Sequence, residues 1–220
     1  MDFSSTLETW GKYFEAGGVF LYFMVVISVV VVALALERTW AVFRARFILR
    51  RVDDRVIDAA RKGDFEEARR LAEKLGTPYR KVFMVGLDRA LGRVKGDPAM
   101  AMLREAKRAN ATLKSGVWIL GSCGALMPFV GLLGTVLGVM SSFEAIGDAG
   151  TGGFAVVSAG ISEALVATAA GLFVALEAIV LFNWLSNMIG GVGRDLALLV
   201  DETLELISTR GGAHAGGTPE

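Results

Sequence analysis

Three long apolar segments dominate the hydropathy pattern of the chain. They are "GVFLYFMVVISVVVVALAL" at 18–36, "GVWILGSCGALMPFVGLLGTVLGVM" at 116–140, and the segment 160–188, which begins "GISEALVATAAGLFVALEAIVLFNW". Each reaches the length of about 20 apolar residues that a helix needs to cross the hydrocarbon core of a bilayer. The pattern therefore predicts three transmembrane helices.

The polar segment 37–115 has the periodicity of amphipathic helices. Within "RVIDAARKGDFEEARRLAEKL" the apolar residues recur every three or four positions, and Asp64 stands where a helix N-cap is expected. No alternating pattern typical of strands occurs there. The fold class predicted is all-α, an integral membrane protein whose segment 37–115 forms a helical bundle that extends the membrane helices.

Basic residues are concentrated in the same segment. Between Glu37 and Lys114 there are 20 lysines and arginines against 11 acidic residues, whereas 141–159 contains no basic residue and 1–17 only Lys12. Positive residues favour the cytoplasmic side of a membrane. We therefore expect 37–115 in the cytoplasm, and 1–17 and the short loop 141–159 in the periplasm.

The C-terminal end of the chain then also lies in the cytoplasm. The amphipathic segment 189–210 is expected either to continue the third membrane helix or to pack beside it. The last residues, 211–220, are rich in glycine, lack core-forming residues and are predicted to be disordered.

Composition narrows the functional class. The chain of 220 residues is 53% hydrophobic with zero formal net charge, which favours a membrane protein and gives no indication of a nucleic-acid partner. Cys123 and His214 are the sole residues of their types, so histidine-based catalysis and Cys/His metal sites are not expected. No nucleophile–base pair, phosphate-binding loop or cofactor site is visible, and the chain is not expected to be an enzyme.

Small residues recur every three or four positions in the second and third spans. Such spacing favours close helix packing in lipid, here between these two spans or with a neighbouring subunit. The residues are Gly131, Gly134 and Gly138 in the second span, and Gly160, Ala164, Ala167, Gly171 and Ala175 in the third.

Four polar side chains within these spans are candidate functional residues. Glu163 and Glu177 lie in the third span, and Thr135 and Thr168 are the hydroxyls deepest in the second and third. A membrane carboxyl group can be protonated, line a wet cavity or meet a partner chain, and all three arrangements suit proton handling. The alternatives are a glutamate that merely reaches water near the headgroups and threonines bonded to their own backbone.

Two long motifs resemble the ExbB/TolQ/MotA proton-channel family, in its three-span ExbB/TolQ branch. They are "GLLGTVLGVMSSF" at Gly131 to Phe143 and "GISEALVATA" at Gly160 to Ala169. The resemblance is strong over about 126–183 and weaker over the "GDFEEA" region. By position, Thr135 and Thr168 match the family's lumen threonines, and Glu163 matches its membrane glutamate.

The resemblance implies a stator subunit of the bacterial inner membrane, driven by the proton-motive force, with protons as the coupling ion and no other cofactor. It further implies a homopentamer around a single-span ExbD/TolR-type partner and, indirectly, a TonB/TolA-type or other envelope-spanning protein. Glu177 departs from the family pattern, which usually has proline there. This second acidic site is open to three interpretations: a second proton acceptor, a pair with a basic residue of a partner, or a side chain that snorkels to the interface.

Two other functions remain open from the residues. The chain could be a membrane scaffold that anchors a partner without an ion path of its own, or a sodium-driven stator. A scaffold tolerates changes at Glu163, Thr135 and Thr168 but not bulky residues in the small-residue stripe, such as Ala167→Leu. A sodium-driven stator differs only in its coupling ion.

Overall fold

The computed structural model describes residues 18–149 and 154–215, and every regular element in these ranges is helical. The membrane-length helices are α1 (Gly18–Arg51), α6 (Val117–Ala149) and α7 (Phe154–Ala215). A π-helix (Val52–Ile57) follows α1, and the shorter helices are α2 (Asp58–Arg61), α3 (Phe65–Glu73), α4 (Tyr79–Ala90) and α5 (Pro98–Lys114). Within these described ranges, three helices are long and apolar enough to span a membrane, as predicted.

The membrane parts of the three long helices form one compact unit, whose described residues are 18–37, 116–149 and 154–184. Helices α6 and α7 pack side by side in opposite directions, and α1 contacts both of them. Met24 of α1 is buried with Met127 of α6 and with Val174 and Ala175 of α7. The outward faces carry many exposed valine, leucine and phenylalanine side chains. Apolar side chains are the surface that a bilayer requires, so this unit is the membrane part of the protein.

The described residues of the second compact unit are Arg38–Ser115 and 185–215. Asp64 caps α3 as predicted, because its side chain accepts a hydrogen bond of 2.9 Å from the backbone N–H of Glu67. Helix α4 buries Phe83 and Leu87, and Met102 of α5 lies against Gly86. A Cβ atom at Gly86 would stand 2.1 Å from the Met102 sulfur, so a side chain at this position would displace the Met102 side chain.

Ionic contacts and burial shift the pKa of three groups in this second unit. Arg61 donates to Glu202, and Arg69 donates to Asp88, and each hydrogen bond raises the pKa of its arginine. Burial raises the pKa of Tyr79 to about 12, since the charged phenolate is poorly solvated there. These groups lie far along the chain from the polar residues of the spans and serve the packing of this unit.

Helix boundaries differ from those expected. Segment 141–159 was predicted as a loop, yet α6 continues to Ala149 and α7 begins at Phe154. Residues 150–153, between the two helices, lie outside the described residues. The predicted N-terminal segment 1–17 lies outside the described residues as well.

Helix α7 is longer than its membrane span. It continues without interruption through 189–210. This segment therefore continues the third membrane helix and does not fold back to pack beside it. The helix extends to Ala215, five residues into the segment predicted to be disordered, since each added residue of an existing helix gains a hydrogen bond without a new nucleation step. Residues 216–220 lie outside the described part of the chain.

Candidate functional site

Helices α6 and α7 meet along their small residues, and the contact is within one chain. A Cβ atom at Gly138 would stand 2.8 Å from the Ala164 Cβ, and one at Gly134 would stand 3.1 Å from the Ala167 Cβ. A Cβ atom at Gly171 would stand 2.7 Å from the Met127 carbonyl oxygen. As the position falls from 138 to 127 along α6, the position of its contact rises from 164 to 171 along α7, so the two helices run in opposite directions. The sequence left open whether the small residues of the third span contact the second span or a neighbouring subunit. Within one chain, they contact the second span.

Glu163 lies beside this contact, at the end where α7 begins. Its side chain is exposed and borders a groove of about 280 Å³ between α1, α6 and α7. Small side chains keep the groove open, and Val19 and Phe20 of α1 complete its wall. The small residues that line it are Gly134, Gly138, Ser141, Gly160, Ala164 and Ala167. Glu163 is the one charged residue among those that line the groove, and the others are small or apolar.

The two threonines lie at one level of the bundle. Thr168 is half-buried, and its hydroxyl donates a hydrogen bond of 2.9 Å to the Gly131 carbonyl oxygen of α6. In an α-helix the Gly131 carbonyl also accepts the backbone N–H of Thr135, four residues later. Thr135 itself donates its hydroxyl to the Leu132 carbonyl at 2.7 Å. The structure therefore joins Thr135 and Thr168 through a single turn of α6.

Glu163 and Thr168 point in different directions. Five residues on an α-helix correspond to a rotation of about 140°, and the side chains follow it: Thr168 packs against α6 while Glu163 stays exposed. The structure thus brings the threonines together and places Glu163 on a neighbouring face, about one and a half turns closer to the start of α7.

Glu177 has a partner that the sequence did not indicate. Ser28 of α1 donates its hydroxyl to a Glu177 carboxyl oxygen at 2.8 Å, and both residues are half-buried. None of the three interpretations of Glu177 included a serine of the first span. The sequence did contain one hint of this pair, because Ser28 is the only serine or threonine in 18–36.

The charged side chains of the membrane unit are acidic. The sequence has no lysine or arginine in 18–37, 116–149 or 154–184, so neither carboxyl group has a cationic partner in its own bundle. Among the residues that the structure describes, no group of three histidine, cysteine, aspartate or glutamate side chains is arranged to hold a metal ion. The ionisable side chains of the third span before Trp184 are the carboxyl groups of Glu163 and Glu177.

The chain is similar in sequence to a family of membrane proteins. The family model described as "MotA/TolQ/ExbB proton channel family" matches residues 75–195, a range that contains α6 and the membrane half of α7 but not α1. A biopolymer transport protein ExbB of Pseudomonas putida is 30% identical over 217 residues, which cover 92% of this chain and 64% of that protein. The ExbB of Salmonella typhimurium is 29% identical over 219 residues, covering 92% of this chain and 87% of the relative.

A relative from a second system is similar over a shorter range. The Tol-Pal system protein TolQ of Haemophilus influenzae is 32% identical over 136 residues, which cover 57% of this chain and 60% of TolQ. Likeness to both ExbB and TolQ proteins agrees with the resemblance seen in the two sequence motifs.

Proposed function

Because the chain belongs to the MotA/TolQ/ExbB proton channel family, we propose that it is a membrane subunit that couples proton flow to mechanical work on the cell envelope. The observation that carries the proposal is the position of Glu163: an exposed carboxyl group beside a groove of small residues, in a bundle without cations. A carboxyl group at membrane depth is costly and marks ion or proton pathways.

The assembly proposed is a homopentamer around a single-span partner of the ExbD/TolR type. Similarity to a biopolymer transport protein and to a Tol-Pal system protein supports biopolymer transport or a Tol-Pal-type system as the setting. An envelope-spanning protein of the TonB/TolA type would receive the work. The exposed apolar faces of α1, α6 and α7 offer surface for both neighbouring subunits and lipid. Glu163, Thr135 and Thr168 are proposed to line the proton pathway.

The proposed location is the bacterial inner membrane. The excess of basic residues in 37–115 supports a cytoplasmic position for this segment, with the N-terminus in the periplasm and the C-terminus in the cytoplasm. In that orientation the start of α7, and with it Glu163, lies toward the periplasmic side. One elementary charge that crosses 100 mV then releases about 2.3 kcal/mol, enough to change a two-state packing equilibrium more than tenfold.

Proton flux through native membrane vesicles that contain the full chain and its natural partners tests the proposal. Flux is followed with a pH-sensitive dye inside the vesicles, for the unmodified chain and for Glu163→Gln. Glutamine keeps the shape of glutamate but does not exchange a proton, so we expect the flux due to this protein to disappear. Glu144→Gln is the matched control, since Glu144 is an exposed glutamate of α6 outside the groove.

The same experiment separates the alternatives. Equal flux in Glu163→Gln, Glu144→Gln and the unmodified chain would refute the proton pathway and favour a scaffold. A flux that requires sodium in the medium, and that vanishes when sodium is replaced by choline, would identify a sodium-driven stator instead.

A further inference from the structure

The second compact unit contains a cavity of about 260 Å³ between α1 and α5, and all of its lining residues belong to that unit. Arg38, Trp40 and Arg44 lie on the α1 side of the cavity, and Thr112 and Leu113 lie on the α5 side. Its volume is roughly eight times that of one water molecule in the liquid. The cavity is therefore large enough for a phosphate group together with part of the glycerol to which it is bonded.

The charge of this cavity is positive. No acidic residue is among the described residues that line it, and Glu37, next to Arg38 in the chain, is not one of them. Arg44 makes no ion pair within the part of the chain that the structure describes. Tyr79 also lines the cavity and is neutral at pH 7, because burial raises its pKa to about 12. Guanidinium groups bind phosphate oxygens through several N–H donors in one plane, so a phosphate suits this charge.

The residues of the cavity lie close to membrane spans along the chain. The first apolar segment ends at Leu36, and α1 continues beyond it as a helix to Arg51. At 1.5 Å per residue, Arg38 stands about 3 Å and Trp40 about 6 Å beyond Leu36 along the helix axis. The headgroup layer of a bilayer is roughly 5–8 Å thick on each side of the hydrocarbon core, so both residues are at headgroup level. On the α5 side, Leu113 precedes the second apolar segment by three residues.

Arg44 brings a second guanidinium group to the level of Trp40. The backbone of Arg44 stands about 12 Å beyond Leu36, but helical side chains tilt toward the N-terminus of their helix, which here is toward the membrane. The guanidinium carbon accordingly lies over the Trp40 ring, 5.6 Å from the ring centroid. Arginine and tryptophan thus form one surface, which has both the charge and the flat apolar ring that are typical of membrane interfaces.

The same face of α1 is apolar within the first span. Val29, Leu36 and Trp40 are seven and four residues apart, so they lie on one face of the helix. Their side chains are 62%, 66% and 65% exposed, respectively. An acyl chain along Val29 and Leu36 would place the headgroup of its lipid at Trp40 and Arg44. A soluble phosphate compound would have no use for this apolar surface, and the continuity therefore favours a lipid.

We propose that this cavity binds the headgroup of an anionic phospholipid, with Arg38 and Arg44 on the phosphate and Trp40 against the glycerol. Basic pockets beside membrane helices are a common form of recognition for anionic headgroups. The proposal requires that the first span crosses a bilayer, and it does not rest on the proposed proton pathway. Lipid binding and proton flux are measured separately, so either idea can fail without the other.

Native mass spectrometry of the purified full chain in a neutral detergent tests the site. Dioleoyl phosphatidylglycerol is titrated into the sample, and the fraction of chain with bound lipid gives the affinity. Dioleoyl phosphatidylcholine has the same acyl chains without net charge, and glycerol 3-phosphate has the phosphate without acyl chains. We expect phosphatidylglycerol to bind more tightly than phosphatidylcholine, and glycerol 3-phosphate at the same concentration to leave the bound lipid in place.

Three variants locate the bound lipid. Arg44→Gln should weaken the binding of phosphatidylglycerol by about fivefold or more, which is the contribution of one basic residue at an anionic lipid surface. Arg46→Gln is the matched control, because Arg46 is an exposed arginine of the same helix that does not line the cavity, and it should leave the affinity unchanged. Thr112→Trp fills the cavity from an exposed position without a change in charge, and it should weaken binding as well.

Several results would overturn the proposal. Equal affinities of Arg44→Gln and Arg46→Gln would mean that the overall positive charge, and not the cavity, attracts the lipid. Undiminished binding in Thr112→Trp would place the lipid outside the cavity. Equal binding of the two phospholipids would remove the requirement for an anion. Displacement of the lipid by glycerol 3-phosphate at the same concentration would assign the cavity to a soluble phosphate ester instead.

Discussion

Replacement of Gly171 by alanine places a methyl group against the backbone of the neighbouring helix. The new Cβ atom would lie 2.7 Å from the Met127 carbonyl oxygen and 2.9 Å from the Gly131 Cα, whereas ordinary contacts begin at 3.4 Å. Both obstacles are main-chain atoms of α6, so no side-chain rotation relieves the overlap. Helices α6 and α7 must separate by roughly half an ångström or the variant must distort one of them.

The magnitude follows from two opposing effects. Overpacking of a tight interior typically costs about 1–3 kcal/mol. Alanine regains up to about 1 kcal/mol relative to glycine inside a helix. With the full gain in helix propensity, we expect Gly171→Ala to lower the free energy of unfolding by up to about 2 kcal/mol.

Gly190→Ala is the matched control for this variant. Gly190 lies in the same helix, but its added Cβ atom would meet only the Arg194 guanidinium, at 3.6 Å, which is an ordinary contact. The gain in helix propensity is common to both variants, so the difference between them measures the packing cost at Gly171.

Unfolding of the purified chain in detergent micelles, titrated with dodecyl sulfate and followed by tryptophan fluorescence and circular dichroism, gives both free energies. We expect Gly190→Ala to be as stable as the unmodified chain or more stable, and Gly171→Ala to be less stable. Equal stability of the two variants would refute the close approach of α6 and α7 at Gly171.

Two further predictions concern the second compact unit. Asp64→Ala should lower the free energy of unfolding of this unit by about 0.5–2 kcal/mol, because the α3 cap is lost. Asp64→Asn should retain most of the stability, and thermal unfolding measures both variants. Equal values for the two variants and the unmodified chain would contradict the cap. Tyr79 should ionise only near pH 12 in an ultraviolet absorbance titration, because burial raises its pKa from 10.0 to about 12. Its neutral form thus favours the folded state, a contribution that is complete below pH 10 and lost as the pH rises toward 12, and normal ionisation near pH 10 in the folded chain would contradict this.

The sequence predicted the class of fold because the signals involved are local. Three apolar segments of membrane length, the Asp64 cap and the small-residue stripe each depend on neighbours in the chain, and the structure contains all of them. Helix ends were harder to place. Charge and hydropathy locate where a span leaves the bilayer, but α6 and α7 continue as helices beyond that point, since their hydrogen bonds do not depend on the bilayer.

The partner of Glu177 could not be predicted for a different reason. Ser28 and Glu177 are 149 residues apart, and their contact depends on the register between α1 and α7. That register is set by packing at many positions, such as Phe20 against Gly134 and Met24 against Val174. A polar residue in each of two spans suggests a pair only when the relative height and rotation of both helices are known. The roles of Glu163, Thr135 and Thr168 stay predictions that rest on the family.

The small residues between α6 and α7 also restrict motion within the membrane unit. Gly138 faces the Ala164 Cβ, and Gly171 faces the Met127 carbonyl oxygen, so the contact has few flexible side chains. The Thr168 hydroxyl adds a hydrogen bond to the Gly131 carbonyl oxygen across the same contact. Closely packed backbones cannot adjust to sliding or turning of one helix against the other. Rotation of the third span therefore carries the second span with it as one rigid body.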